Sequence, residues 1–157
     1  MDNLLEHVLD PLSLLKQTAN LLSPKGILMI EVPNDFSLLH KTLMDDEFVK
    51  TPFWVAYPDH ISYFNNQGLA NLCLAAGFKK EMSITDFPVD FCLLNPDSNY
   101  CQDKSKGENA HLLRIKLENL FCQVSIPATV EFHRALANLG FGRNIISFYT
   151  LSKVNQI

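Results

Sequence analysis

The sequence is poor in glycine, with 6 in 157 residues, and holds a single tryptophan. So little glycine excludes a collagen-like repeat, and 47% hydrophobic against 19% charged residues excludes a disordered tail or a coiled coil. Positive charge is scarce as well. Thirteen Lys+Arg face 17 Asp+Glu, the formal charge is -4, and no basic stripe marks a nucleic-acid footprint. No apolar run approaches the ~20 residues that a membrane span needs. The opening residues Met1-Asp2-Asn3-Leu4-Leu5-Glu6-His7 lack the basic start and apolar centre of a signal peptide, so a cytoplasmic location is expected. The four cysteines (Cys73, Cys92, Cys101, Cys122) form no CxxC pair, and no histidines stand at zinc-finger spacing. They read as free thiols, two of them on apolar helix faces, and no metal site is expected.

What is present suits one domain over residues 1–157. Asp10-Pro11 is a helix start, Asp as cap and Pro in the first turn, and Leu12, Leu15, Ala19 and Leu22 recur behind it at helical spacing. After the turn Ser23-Pro24-Lys25-Gly26, the run Ile27 to Val32 reads as a strand buried on both faces. A short helix is expected around Ser37 to Asp45. An aromatic, proline-containing stretch follows, from Pro52 to Phe64. The pattern then predicts a helix from Asn65-Asn66 to Ala76 capped by Gly77, and a strand from Phe78 to Asp86. Asn95 to Asn109 reads as a loop, with helices at about Glu108 to Val124 and Ala128 to Leu139. Gly140-Phe141-Gly142-Arg143-Asn144 is a turn, and Ile145 to Lys153 a last strand. Helices alternating with strands make the class α/β.

Three segments carry a family resemblance. They are Leu5-Glu6-His7-Val8-Leu9-Asp10-Pro11, Leu21-Leu22-Ser23-Pro24-Lys25-Gly26-Ile27-Leu28, and Asp59-His60-Ile61-Ser62-Tyr63-Phe64 with the helix ending Ala75-Ala76-Gly77-Phe78. In order and spacing the set resembles the C-terminal half of a class I S-adenosylmethionine-dependent methyltransferase. The first segment resembles the stretch after that family's fourth strand. The second resembles its LxPGG turn into the fifth, with Lys25 where a glycine is usual. The third resembles the region before and through the next helix. The likeness spans most of residues 1–90 and 140–154, and about 91–139 reads as a helical insertion.

The resemblance implies a partial Rossmann-like methyltransferase fold, a truncated mixed sheet in the order five, seven, six. The glycine-rich GxGxG turn that holds the cofactor in this family is absent from the sequence. The first four strands are therefore expected to be missing, through truncation or an inaccurate gene start. Ile27 to Val32 would then be an unpaired, uncovered edge, prone to self-association or to pairing with a complementing N-terminal half. The implied function is the substrate-side portion of a methyltransferase acting on a small molecule or sugar-containing metabolite, inactive alone. S-adenosylmethionine is the cofactor of the intact family enzyme. The alternative is a non-enzymatic remnant or partner subunit.

Methyl transfer needs aligned donor and acceptor, and often a base for the acceptor proton. Family members that methylate sugar carbons carry an acid–His pair that Asp59-His60 resembles, which makes His60 the candidate base; the alternative is that both residues only shape a turn. The resemblance puts Glu6 and His7 beside the cofactor's methionine end, although both equally suit a structural turn. Tyr57, Tyr63 and Trp54 either wall an acceptor pocket or pack as core. Tyr100 and Arg143 are candidates for the acceptor as well, Arg143 suiting an anionic group or simply a solvated turn. Glu31, at the end of its strand, either faces the acceptor or marks the water boundary.

Overall fold

A computed structural model describes residues 1–152; Lys153, the expected end of the last strand, lies outside the described residues. Local signals start most of its helices. The Asp10 carboxylate accepts the Ser13 N–H at 2.9 Å and Pro11 opens the first turn of α1 (Pro11–Leu21). Ser37 caps α2 (Leu38–Asp45) and Asn65 caps α3 (Asn66–Ala75), each accepting a main-chain N–H three residues on. Gly77, at φ 91°, ends that last helix in the left-handed region. Two further helices, α4 (Gly107–Val124) and α5 (Ile126–Asn138), are joined at Ser125, which caps the second.

Strands β1 (Leu28–Pro33), β2 (Phe78–Thr85) and β3 (Asn144–Leu151) form one sheet in the order β1-β3-β2. The class is α/β. The sheet is not mixed, however: both ladders are antiparallel, because the last strand runs between the first two and against each. The parallel pairing among the described residues is a single bridge between Asp2 and Glu31.

Two expectations for β1 are corrected. The strand is buried on one face only: Leu28, Ile30 and Val32 are buried, while Met29 is 36% exposed and Glu31 half-buried. The core built with Leu15 of α1 and Leu69 and Cys73 of α3 takes alternate residues, so the opposite face stays open. Nor is the outer edge uncovered. The Met1 ammonium donates to the Met29 carbonyl at 2.7 Å, the Glu31 N–H to the Met1 carbonyl at 2.9 Å, and the Asn3 N–H to the Glu31 carbonyl at 3.0 Å. Pro33 ends the strand without a donor of its own. Of the cysteines on helices, Cys73 is buried and Cys122 is exposed.

A second cluster, Leu39 and Leu43 of α2 with Val49 and Leu93, packs beyond the carboxyl end of β1, with Phe53, Tyr100 and Phe141 against it. The strand ends are tied together there. Asn34 donates its side-chain amide to the carbonyls of Gly140 (2.9 Å) and Gly142 (3.0 Å), and its own N–H to that of Arg143. Asp86, just after β2, accepts the N–H groups of Arg143 (2.7 Å) and Asn144 (2.9 Å). Ligands of open α/β sheets bind at such carboxyl ends.

Candidate functional site

A cavity of about 220 Å³ opens at these strand ends, lined by Asp35, His40, Trp54, His60, Asp90 and Arg143 among others. Larger cavities exist, but this one gathers unsatisfied chemistry. Asp35 Oδ2, His40 Nδ1, Trp54 Nε1 and His60 Nδ1 are all buried without a hydrogen-bond partner, and all four residues line it. Buried polar atoms are normally paired, so a concentration of unpaired ones around a void marks a place for a polar ligand.

Asp35 follows β1 directly and is 2% exposed. Its N–H is held by the Phe64 carbonyl at 2.7 Å, which fixes where the side chain departs. Burial pushes its carboxyl up to about 6; the Phe64 main chain and the His40 and His60 imidazoles pull it down without cancelling that effect. His40 comes from α2 and stacks flat on Trp54, with centroids 4.1 Å apart and ring planes at 4°. Its Nε2 lies 3.8 Å from Asp90 Oδ2, and the Tyr100 hydroxyl donates to the other oxygen of the same carboxylate. Burial acts to raise the Asp90 carboxyl, but His40, Tyr100 and Arg143 outweigh it, and the net direction is down. The Tyr100 phenol is pushed well up, by burial first and by the Asp90 charge second.

The expected site residues divide. His60 lies on the cavity wall and Arg143 at its side. Arg143 also borders a second cavity of about 380 Å³, shared with Tyr100, His111 and Arg114. Asp59 is exposed and meets the site through its main chain, its carbonyl accepting from His7 Nδ1 at 2.6 Å. Tyr63 is half-buried beside His60, with centroids 6.3 Å apart and its hydroxyl unpartnered. Tyr57 is 82% exposed, away from the cavity. Glu31 takes the Asn144 side-chain amide at 2.9 Å instead of lining the void. Glu6 and His7 form a 3-10 turn at Leu5–His7, behind His60. Sequence reasoning missed Asp35, His40 and Asp90, which no motif links.

A family model described as a methyltransferase domain matches residues 1–82. The chain belongs to this methyltransferase-domain family. The matched stretch brings Asp35, His40, Trp54 and His60 to the cavity, with Glu6 and His7 behind His60, and Asp90 and Arg143 come from beyond it. No curated protein matches the chain.

Methyltransferase domains of this family generally use S-adenosylmethionine. The residues fit one end of that molecule. Glu6 Oε2, buried and unpartnered, is a counter-charge for a cationic methionine end. The six glycines give no cradle for the nucleoside: Gly68 and Gly107 lie in helices, Gly26, Gly77, Gly140 and Gly142 lie just before strands, and none opens the turn after one. No helix among the described residues is long and apolar enough to cross a membrane.

Proposed function

We propose that this methyltransferase domain supplies the acceptor side of methyl transfer to a small molecule or sugar-containing metabolite, with Asp35 as the proton acceptor. The observation that carries this is the cavity at the carboxyl end of β1, where a buried carboxyl of pKa about 6 keeps one oxygen, Oδ2, without a partner among other unpaired polar groups. At neutral pH such a group is ionised yet still basic enough to take a proton from an acceptor hydroxyl or amine as the new bond forms. The volume suits a group of sugar-ring size, not a whole nucleotide. Arg143 offers a fork to a phosphate or carboxylate at the cavity side, and Trp54 stacked on His40 forms an apolar wall for a ring face. His60, expected as the base with Asp59, becomes a wall residue, since Asp59 turns its carbonyl and not its carboxylate inward. When bound, S-adenosylmethionine supplies the electrophilic methyl group. The buried, unpartnered Glu6 Oε2 supports a role for Glu6 and His7 at its methionine end.

Trp54 is the single tryptophan and so reports this cavity alone. Titration of the full chain with sugar phosphates is expected to change its emission saturably, more strongly than neutral sugars do, and Arg143→Ala weakens the effect. A folded chain whose emission stays flat across the series would refute the acceptor reading. S-adenosylhomocysteine, titrated in parallel, reads the cofactor side separately.

A further inference from the structure

The Glu6–His7 turn and the segment around His60 are far apart in sequence but locked together. Ile61 and Ser62 donate their N–H groups to the Glu6 carbonyl at 2.8 and 3.0 Å, and His60 N–H bonds the Ala56 carbonyl at 2.9 Å. Three side chains converge across this joint. One ligand atom each from Glu6, His7 and His60 lies within 4.8 Å of the others. Glu6 Oε1 is 3.9 Å from His7 Nε2, and the two imidazoles meet edge-on with centroids 4.9 Å apart.

Each member has a lone pair to give. A carbonyl oxygen only accepts, so the 2.6 Å contact from His7 Nδ1 to the Asp59 carbonyl puts a proton on Nδ1, and in the neutral imidazole the lone pair is then on Nε2, towards Glu6. A main-chain carbonyl holding the other ring nitrogen in this way orients metal-binding histidines. Glu6 is 1% exposed, and its Oε2 is buried with no partner. Burying a carboxylate this way is costly unless something cationic meets it. Among the described residues the basic side chain within ion-pair distance is His7 itself. His60 Nδ1 is the third orphan.

We propose that Glu6, His7 and His60 bind one divalent first-row transition-metal ion of the zinc type. Two imidazoles and one carboxylate are borderline ligands suited to such ions, whereas magnesium and calcium take oxygen shells. Bond lengths of about 2.0–2.1 Å put ligands about 3.3 Å apart in a tetrahedral shell, so the three ligand atoms draw in from their present spacing on binding. Three protein ligands leave a position for water or an acceptor oxygen, and His60 also borders the acceptor cavity. The site competes with the methionine end of the cofactor for Glu6 and His7, and it does not depend on the acceptor reading of the cavity.

Cobalt(II) is the probe, added to the purified full chain after chelator treatment. One equivalent is expected to bind saturably, to give visible d–d absorption, to raise the melting temperature, and to be displaced by zinc. Loss of a group that only hydrogen-bonds a ligand weakens metal affinity about 10–100-fold, so His60→Ala and Glu6→Gln, which remove ligands, each lower it by at least that much. His133→Ala, on α5, leaves it unchanged. Circular dichroism checks that each variant folds. Absence of cobalt absorption and of any melting shift in folded wild type would overturn the proposal, as would undiminished binding in both ligand variants. If cobalt does not bind while Glu6→Gln abolishes S-adenosylhomocysteine binding, the carboxylate's partner is the cofactor ammonium and the metal site falls. The Trp54 titration is unaffected by that result and judges the acceptor reading by itself.

Discussion

At the scale of single residues, two carboxylates beside one cavity are pushed in opposite directions, and their pH signatures have opposite signs. The Asp35 carboxyl rises from 3.8 to about 6 on folding, mainly through burial. Between those values the unfolded chain has already released a proton that the folded chain still holds. Stability therefore falls as pH rises from about 4 to 6, by on the order of 3 kcal/mol in total, and is flat above that as far as this group goes. Asp35→Asn is expected to remove that slope, which urea unfolding at pH 4, 5, 6 and 7 measures; an unchanged slope would show that Asp35 is not the group titrating. Asp90 behaves in the reverse sense. Burial opposes its charge, but His40 and Tyr100 win, so its contribution is present above the ordinary aspartate range and is lost as pH falls below it. Asp90→Asn should cost about 1–3 kcal/mol at pH 7, since a charged hydrogen bond is lost and the buried Tyr100 hydroxyl keeps only a weaker acceptor. The deficit should shrink towards pH 3. A variant as stable as wild type at neutral pH would mean that the Tyr100 and His40 contacts contribute nothing.

Elements differ in how far their causes are local. The cap at Asp10 is wholly local, and Asp10→Ala is expected to lower stability by about 1 kcal/mol through loss of the Ser13 bond. The turn into β3 is not. Gly142 sits at φ 99°, and a Cβ there would lie 1.5 Å from Thr85 Oγ1, which itself donates to the Asn144 carbonyl at 2.6 Å. Gly142→Ala therefore combines backbone strain with a clash against β2, and about 3 kcal/mol or more should be lost. Thermal melting of both variants tests the ranking: Asp10→Ala falling further than Gly142→Ala would contradict it. The same contrast explains what was legible. Asp10-Pro11, Asn65 and Gly77 announce helix ends by residue type alone, and apolar runs announce β1 and β3, whereas β2 carries Lys79, Lys80 and Glu81 and has no such run. The one-sided burial of β1 was hidden, because Ile27 to Val32 is apolar throughout and only the packing of α1 and α3 decides which side is wet. In the site, His60 and Arg143 were readable as chemistry-bearing residues near turns. Asp35, His40 and Asp90 were not, because their meeting depends on Asn34 and Asp86 pulling the strand ends together, a long-range fact with no short motif. Glu6, His7 and His60 likewise escape every rule of metal-ligand spacing, since two segments supply them.

For the whole molecule, the two edges of the sheet are protected by different means. The β2 edge carries the exposed charges of Lys79, Lys80 and Glu81, which discourage pairing with another chain. The β1 edge has Met29 in that role, an apolar residue 36% exposed. Its protection comes from main-chain bonds: the outward groups of Met29 and Glu31 are taken by Met1 and Asn3. Asn3 holds its place at φ 44°, which proline cannot adopt, and proline has no N–H to give to Glu31. Asn3→Pro should therefore release the segment and leave a bare strand edge, and the chain should then associate with itself as concentration rises. Sedimentation velocity across a concentration series reads this directly. Adding Met29→Lys in the same chain places a charge on the freed edge and is expected to restore the monomer. If Asn3→Pro stays monomeric, the edge is not a pairing surface. If it associates but Met29→Lys does not reverse it, contact runs through another apolar surface, such as the groove lined by Leu120, Val124 and Phe132 between α4 and α5.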